Sequence, residues 1–345
     1  MVKFFRNIRV VEVGDGYLTG ARGYRFYRFD IQSGVWSYFG KISDWKFAVL
    51  SRFRILSRLF RADVHFFTTL KNGMPVCIAK KGVFIYNEKS RKFEKSFHVT
   101  RGTRPLNICE DAEGNIYFGE YFHNPDRDSV NIYMSSDYGM KWEIVYTFPA
   151  QSIRHIHGLH YDKFTGSIWV TTGDLEGECL IAYTKDKFNT LSIILHGGQE
   201  YRTCNLMFFE DKILYGTDSE TAVNHLKQIN RETLLVSELA LLQGSVINSL
   251  KIGERCFVNT TVEPSAVNTD QNSYIWMYDN VKSECSIIAK YEKDHWDHRY
   301  FQFGWCRFPD YKPEDDPYLY FHGNALKKID GNTVGLKISE LRDIK

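Results

Sequence analysis

Three arginines, Arg104, Arg154 and Arg202, each stand three residues ahead of a polar side chain on a short apolar run, namely Asn107, His157 and Asn205. A guanidinium grips a carboxylate through two parallel hydrogen bonds, so a row of such arginines suits an anionic ligand. The same register continues without arginine in Ala62–His65 and Ser245–Asn248. Acidic and aromatic residues follow at comparable intervals: Glu120 with Tyr121, Asp174 with Glu178, Asp218, and Glu263, with Arg22 in the equivalent position near the start. Carboxylates accept sugar hydroxyls and aromatic faces stack on sugar rings, so the set points to an acidic oligosaccharide or polysaccharide. Arg104, Arg154, Arg202, Asp174, Asp218 and Arg22 are the expected binding groups.

Two chemistries use these residues. Elimination from a uronic acid needs a cation on the carboxylate and a base for the α-proton, with Arg154 or Arg202 beside His157 or His155, assisted by Tyr121. Glycoside hydrolysis needs two carboxylates across a cleft, with Glu120, Asp174, Asp218 and Glu263 as candidates. His155 and His157, two apart on a strand pattern, point the same way and with a carboxylate could hold a divalent metal. No helix-borne histidine pair or cysteine partner accompanies them, so the expectation is polar channel histidines and no metal or other cofactor.

These residues need a scaffold that repeats. A short strand recurs at Tyr17, Pro75, Ile116, Ile168, Ile213, Cys256 and Leu319, usually after a turn signal such as Lys71-Asn72-Gly73 or Phe164-Thr165-Gly166. Apolar strands flank each copy upstream and downstream, giving an antiparallel meander about the size of a propeller blade. The expected architecture is all-β: one domain over residues 1–345, a seven-bladed β-propeller, with six blades as the fallback. The innermost strands would line a channel, bringing His65, Asn107, His157, Asn205 and Asn248 into one ring and the arginines to its mouth.

Ser135-x-Asp137-x-Gly139-x-x-Trp142 resembles the Asp-box of sialidases and other BNR-repeat propellers, and it occurs once. The resemblance implies a hairpin lock: Asp bonds turn amides, Gly takes a backbone angle others avoid, and Trp plugs the gap between sheets. In sialidases an arginine triad binds the substrate carboxylate beside a Tyr–Glu pair. Arg104, Arg154 and Arg202 would imitate the triad, and Tyr121 with Glu120 or Glu263 the pair. The N-terminal Phe/Tyr-Arg-Ile-Pro signature is missing.

Two segments interrupt the repeat. Residues 291–317 form an insert before the last copy. Residues 43–61 hold Trp45–Phe60, an amphipathic helix with Val49, Leu50, Phe53, Leu56, Leu59 and Phe60 at helical spacing and Arg52, Arg58 and Arg61 among them. It would pack on the outside of the propeller or make peripheral contact with an anionic membrane surface. A net charge of +2 gives no field for nucleic acid. Seven scattered cysteines without a C-x-x-C pair, and an N-terminus unlike a signal peptide, lead to an expected cytoplasmic location, peripheral at the inner face of the membrane if the helix binds lipid. The competing expectation is a non-catalytic glycan-binding or scaffold propeller serving envelope polysaccharide assembly.

Overall fold

The computed structural model describes residues 2–344. Most strands follow one another as short meanders, as turn residues between apolar runs dictate. Five sheets have four strands and one has nine. Cys109–Phe148, His155–Gly197, Met207–Leu242 and Val246–Glu292 each fold into one four-stranded sheet with strands in chain order. The nine-stranded sheet contains two such runs, Arg9–Ile42 and Phe66–His98. They join where Lys41 and Ile42 pair in parallel with Lys92 and Phe93. The ninth strand, Asp310–Tyr311, lies parallel to Arg9–Gly14. In the remaining sheet Trp305–Arg307, Tyr318–Asn324 and Thr333–Lys337 are completed by Val2–Phe5, which pairs antiparallel with Thr333–Lys337.

The inner strands bury both faces, because neighbouring sheets cover each side. Pro75–Ala79 and Ser167–Gly173 are buried throughout, whereas outer strands such as Glu143–Phe148 are half exposed. Each apolar cluster is shared by two adjacent four-stranded runs. Ile78, Val83, Ile116 and Phe118 fill one gap, and Trp169, Ile181, Ile213 and Tyr215 another. The inner strands of all the sheets surround one channel, whose wall takes in His65, Asn107, His160, Asn205, Asn248 and His322.

The asparagines of that wall are stitches between sheets. Asn107 donates to the Leu159 carbonyl at 2.6 Å and accepts from its amide at 3.3 Å. Asn205 accepts from the Ser249 amide at 3.0 Å, and Asn248 from the Phe308 amide at 2.6 Å. In each case one inner strand satisfies an orphan backbone group of the next.

The Ser135–Trp142 turn is built as expected. Ser135 Oγ donates to Asp137 at 2.8 Å and accepts from the Gly139 amide at 2.8 Å, and the Lys141 amide donates to Asp137 at 2.8 Å. Gly139 has φ +92, and Trp142 packs on Phe118 in the gap between sheets. The next sheet repeats the bonding with other residues. Thr184 Oγ1 donates to Asp186 at 2.8 Å and accepts from the Phe188 amide at 3.0 Å, and the Thr190 amide donates to Asp186 at 2.9 Å. Phe188 stands where glycine would, at φ +70, with its ring buried in the inter-sheet cluster.

The helical insert departs from expectation in two ways. It is two short helices, Trp45–Leu50 and Arg54–Phe60, broken at Ser51–Phe53, and Asp44 caps the first. The second helix turns a polar side inward, while Phe47 and Ala48 of the first pack against the core. Ser51, Ser57 and Arg58 are buried, while Trp45, Val49, Phe53, Ile55 and Phe60 are exposed, Trp45 by 76%. The cause is electrostatic: Arg58 bonds Asp294 and the Phe301 carbonyl, and Arg54 bonds Asp63 and Asp330. The 291–317 segment lies only partly outside the sheets. It carries the short helix His298–Phe301 but also the innermost strand of the last sheet, Trp305–Arg307.

Candidate functional site

One end of the channel opens into a cavity of about 310 Å³ that gathers Tyr121, Arg154, His155, His157, Asp174, Arg202, Cys204, Asp218, Glu263, Trp305 and Arg307. Its floor is shared with the ring residues His65, Asn107, Asn205 and Asn248. The strand His155–Asp162 carries a β-bulge with His157 as its extra residue, which turns the strand end into the mouth. Gly173 makes room for it. A Cβ there would lie 2.9 Å from Arg202 Cγ and 3.2 Å from His157 Cε1.

Asp174, next in sequence, is the hub. It sits at φ +134, a backbone angle that L-residues rarely adopt and that costs about 1–3 kcal/mol unless its surroundings enforce it. Its Oδ2 is 2.8 Å from Arg154 Nη1 and 3.4 Å from His155 Nε2, and its Oδ1 is 3.1 Å from Arg202 Nη2 and 3.3 Å from His157 Nε2. Burial alone would raise this carboxyl, but its position against the His155 and His157 rings holds it far below the usual carboxylate range. Burial lowers His155, and Asp174 opposes that only in part. Arg202 also meets Asp218 at 3.6 Å and Glu220 at 3.4 Å, and these carboxylates raise it.

Glu263 is the contrasting carboxyl. It lies in the cavity wall with no hydrogen-bond or ion-pair partner among the described residues. Burial, reinforced by Asp218 and Glu220, pushes it up to about 7. Tyr121 lies with its ring centroid 4.1 Å from that of His155, and burial raises its phenol, so it remains a proton donor across the neutral range. Among the described residues Arg307 has no carboxylate partner; Nη1 rests 3.2 Å from His65 Nδ1. Burial and the nearby Arg104 and Arg9 bring it down to about 9. Arg104, beside it in a small annex with Arg61 and Asp63, is brought down to about 10 by burial and by Arg61.

The residues marked from sequence divide accordingly. His155, His157, Tyr121, Glu263, Asp174, Asp218, Arg154 and Arg202 line the one cavity. Arg104 borders the adjoining annex. Glu120 is elsewhere: it is buried against Arg101, with the Asn131 amide on it at 2.8 Å, and ties the sheet edge together. Arg22 ends an outer part of its strand, exposed and away from the cavity. Arg154 and Arg202, expected to reach for a ligand, are engaged by Asp174, Asp218 and Glu220. Arg307, Trp305 and Cys204 were not marked; the first two lie in the irregular insert, where no repeat register exposes them.

No family model and no curated protein matches this chain. Solved structures do. An oligogalacturonate lyase in complex with manganese is similar at TM-score 0.62 with 8% identity, over 98% of this chain and 91% of that one. A chain of the mitotic checkpoint complex is similar at TM-score 0.59 with 10% identity, again over 98% and 91%. The fold is a β-propeller. At these identities the likeness carries the propeller architecture alone, so the activity has to be argued from the cavity.

Proposed function

We propose that the chain is a seven-bladed propeller that binds a carboxylate-bearing glycan at the cavity and cleaves it by β-elimination. Seven apolar clusters, one in each gap between neighbouring four-stranded runs, support the blade number. The observation that carries the chemistry is one cavity wall that holds both Arg307, a cation with no carboxylate partner among the described residues, and Glu263, a carboxyl raised to about 7. A uronate carboxylate would settle on Arg307, whose charge stabilises the enolate-like state formed as the neighbouring C–H bond breaks. Glu263, ionised above about pH 7, takes the C5 proton. The electron pair forms the C4–C5 double bond, the C4–O4 bond breaks, and Tyr121 protonates the departing oxygen. Trp305 and Phe303 offer faces for the sugar rings.

Hydrolysis is the weaker chemistry here. It needs two free carboxylates, and Asp174 and Asp218 are held by Arg154 and Arg202. The lyase reading also agrees with the uronate-cleaving neighbour of the same fold. The test is incubation with oligogalacturonate and other uronate oligomers, following ultraviolet absorbance of the unsaturated product together with new reducing ends. Both signals rising together support elimination. Reducing ends alone would mean hydrolysis, and neither signal with no binding would remove the glycan reading.

A second reading, a glycan-binding or scaffold propeller held at a membrane surface, is favoured by one observation. The helical insert turns Trp45, Val49, Phe53 and Ile55 to solvent rather than to the core. Such a patch beside Lys46, Arg52 and Arg61 suits an anionic lipid headgroup region.

A further inference from the structure

We infer that His155, His157 and Asp174 form a binding site for a divalent transition metal, with Asp218 and Cys204 behind it. The argument starts from which atoms carry hydrogen. His155 Nδ1 lies 3.0 Å from the Phe122 carbonyl oxygen, and His157 Nδ1 lies 3.3 Å from the Thr203 carbonyl oxygen. A carbonyl can only accept, so each Nδ1 carries the proton of its ring. In the neutral rings both Nε2 atoms are then bare lone pairs, and they face each other at 3.2 Å. The Asp174 carboxylate faces the pair, with Oδ2 3.4 Å from His155 Nε2 and Oδ1 3.3 Å from His157 Nε2. Three acceptors that converge in this way repel one another until a cation stands between them.

The group has the dimensions of a coordination sphere. Imidazole nitrogen and carboxylate oxygen bind zinc and its neighbours at about 2.0–2.2 Å, which puts tetrahedral ligand atoms about 3.3–3.6 Å apart. The separations of 3.2–3.4 Å lie close to that range, with each histidine facing its own oxygen of the Asp174 carboxylate. The outer shell is in place as well. Backbone carbonyls fix both histidine tautomers, and Arg154 and Arg202 hold the outer sides of the Asp174 carboxylate. A second group of potential ligands, His157, Cys204 and Asp218, shares His157, so the acidic lining continues past the first group. Coordination by three protein groups leaves a position open to the cavity, as in catalytic rather than structural sites. His155 and His157 then serve as ligands, and proton transfer is left to Glu263 and Tyr121.

The site can be tested without any glycan, so its failure is separable from failure of the lyase reading. The full chain, stripped with chelator, is titrated with Zn²⁺ and with Mn²⁺ by calorimetry, and bound metal is counted after dialysis. The expected result is about one equivalent, held more tightly for zinc than for manganese as the general affinity order requires. His157→Ala should weaken binding by more than the roughly 10–100-fold that loss of an outer-shell partner costs. His155→Gln is the second variant in case His157→Ala fails to fold, and Val281→Ala, on an exposed turn outside the cavity, is the control that should bind normally. Manganese bound by the wild type should give a paramagnetic resonance spectrum that His157→Ala loses. The proposal is overturned if neither metal binds, or if the folded His155→Gln and His157→Ala proteins bind like the wild type. It is equally overturned if nitrogen resonances of the metal-treated protein show His155 or His157 as an imidazolium paired with Asp174.

Discussion

Arg231 reaches across from one blade to clasp Asp162 of its neighbour, with Nη1 at 2.7 Å from Oδ2 and Nη2 at 3.1 Å from Oδ1. Asp162 is fully buried and Arg231 nearly so. Truncating one member of such a pair strands the other charge away from water. Arg231→Ala should therefore cost about 3–5 kcal/mol, whereas replacing both residues by apolar ones of like volume should cost far less. Urea unfolding of the two singles and the double, read as a mutant cycle, measures this.

Glu263 gives a pH dependence with a definite sign. Its carboxyl titrates near 7 in the fold and near 4.5 in an open chain. The folded protein therefore binds the extra proton between those values, and its stability contribution is complete below about 4.5 and lost as pH rises through 7. Glu263→Gln should abolish that slope, so wild type and variant, unfolded by denaturant at pH 5 and at pH 8, should diverge most at the higher pH. In the lyase reading the same ionisation makes activity climb through pH 7. Glu263→Gln should lower turnover by about 10²–10⁴-fold, with substrate affinity little changed.

Arg307 should govern binding rather than turnover. A charge-assisted hydrogen bond contributes about 1.5–3 kcal/mol, so Arg307→Ala should weaken affinity for a uronate oligomer roughly 10–150-fold. Calorimetric titration on the folded variant is the measurement. Unchanged affinity would move the carboxylate site away from Arg307.

Phe188 sets two effects against each other. Glycine at this position would relieve a left-handed backbone by about 1–2 kcal/mol but would remove a buried ring whose loss costs about 3–5 kcal/mol. The cavity term is larger, so Phe188→Gly should destabilise by about 1–4 kcal/mol. Thermal or urea denaturation showing a gain in stability would mean that the turn, not the plug, is the weak point.

The architecture was legible because each blade repeats a period-two pattern closed by turn residues, and because the Asn107, Asn205 and Asn248 register survives where apolar residues vary. The second Asp-centred turn was not legible. Phe188 replaces the glycine and supplies the plug itself, so bonding that is conserved in geometry leaves no matching letters. The insert misled for a related reason. Periodicity finds a helix's apolar side but says nothing of Asp294 and Asp330, distant in sequence, which draw Arg58 and Arg54 inward and leave the apolar side outside. Glu120 likewise looked free only because Arg101 lies outside the repeat register.

That outward side is open to a direct check. If it meets lipid, the protein should co-sediment with vesicles containing anionic phospholipid, and a Trp45→Ser, Phe53→Ser double variant should stay in the supernatant while keeping its fold. Equal behaviour of the two proteins would assign the patch to some other contact.

The strand Val2–Phe5 pairs with Thr333–Lys337, so the sheet that shuts the ring draws on both ends of the described chain. During synthesis the earlier blades can assemble in order, but they form an open arc with raw apolar flanks until that last pairing is made. Because the pairing joins opposite ends of the described chain, it carries the largest loop-closure cost of the sheet pairings, and the ring is complete only with it. Residues that stabilise this one sheet, Tyr320 and Val334 among them, should govern how long the finished ring stays closed.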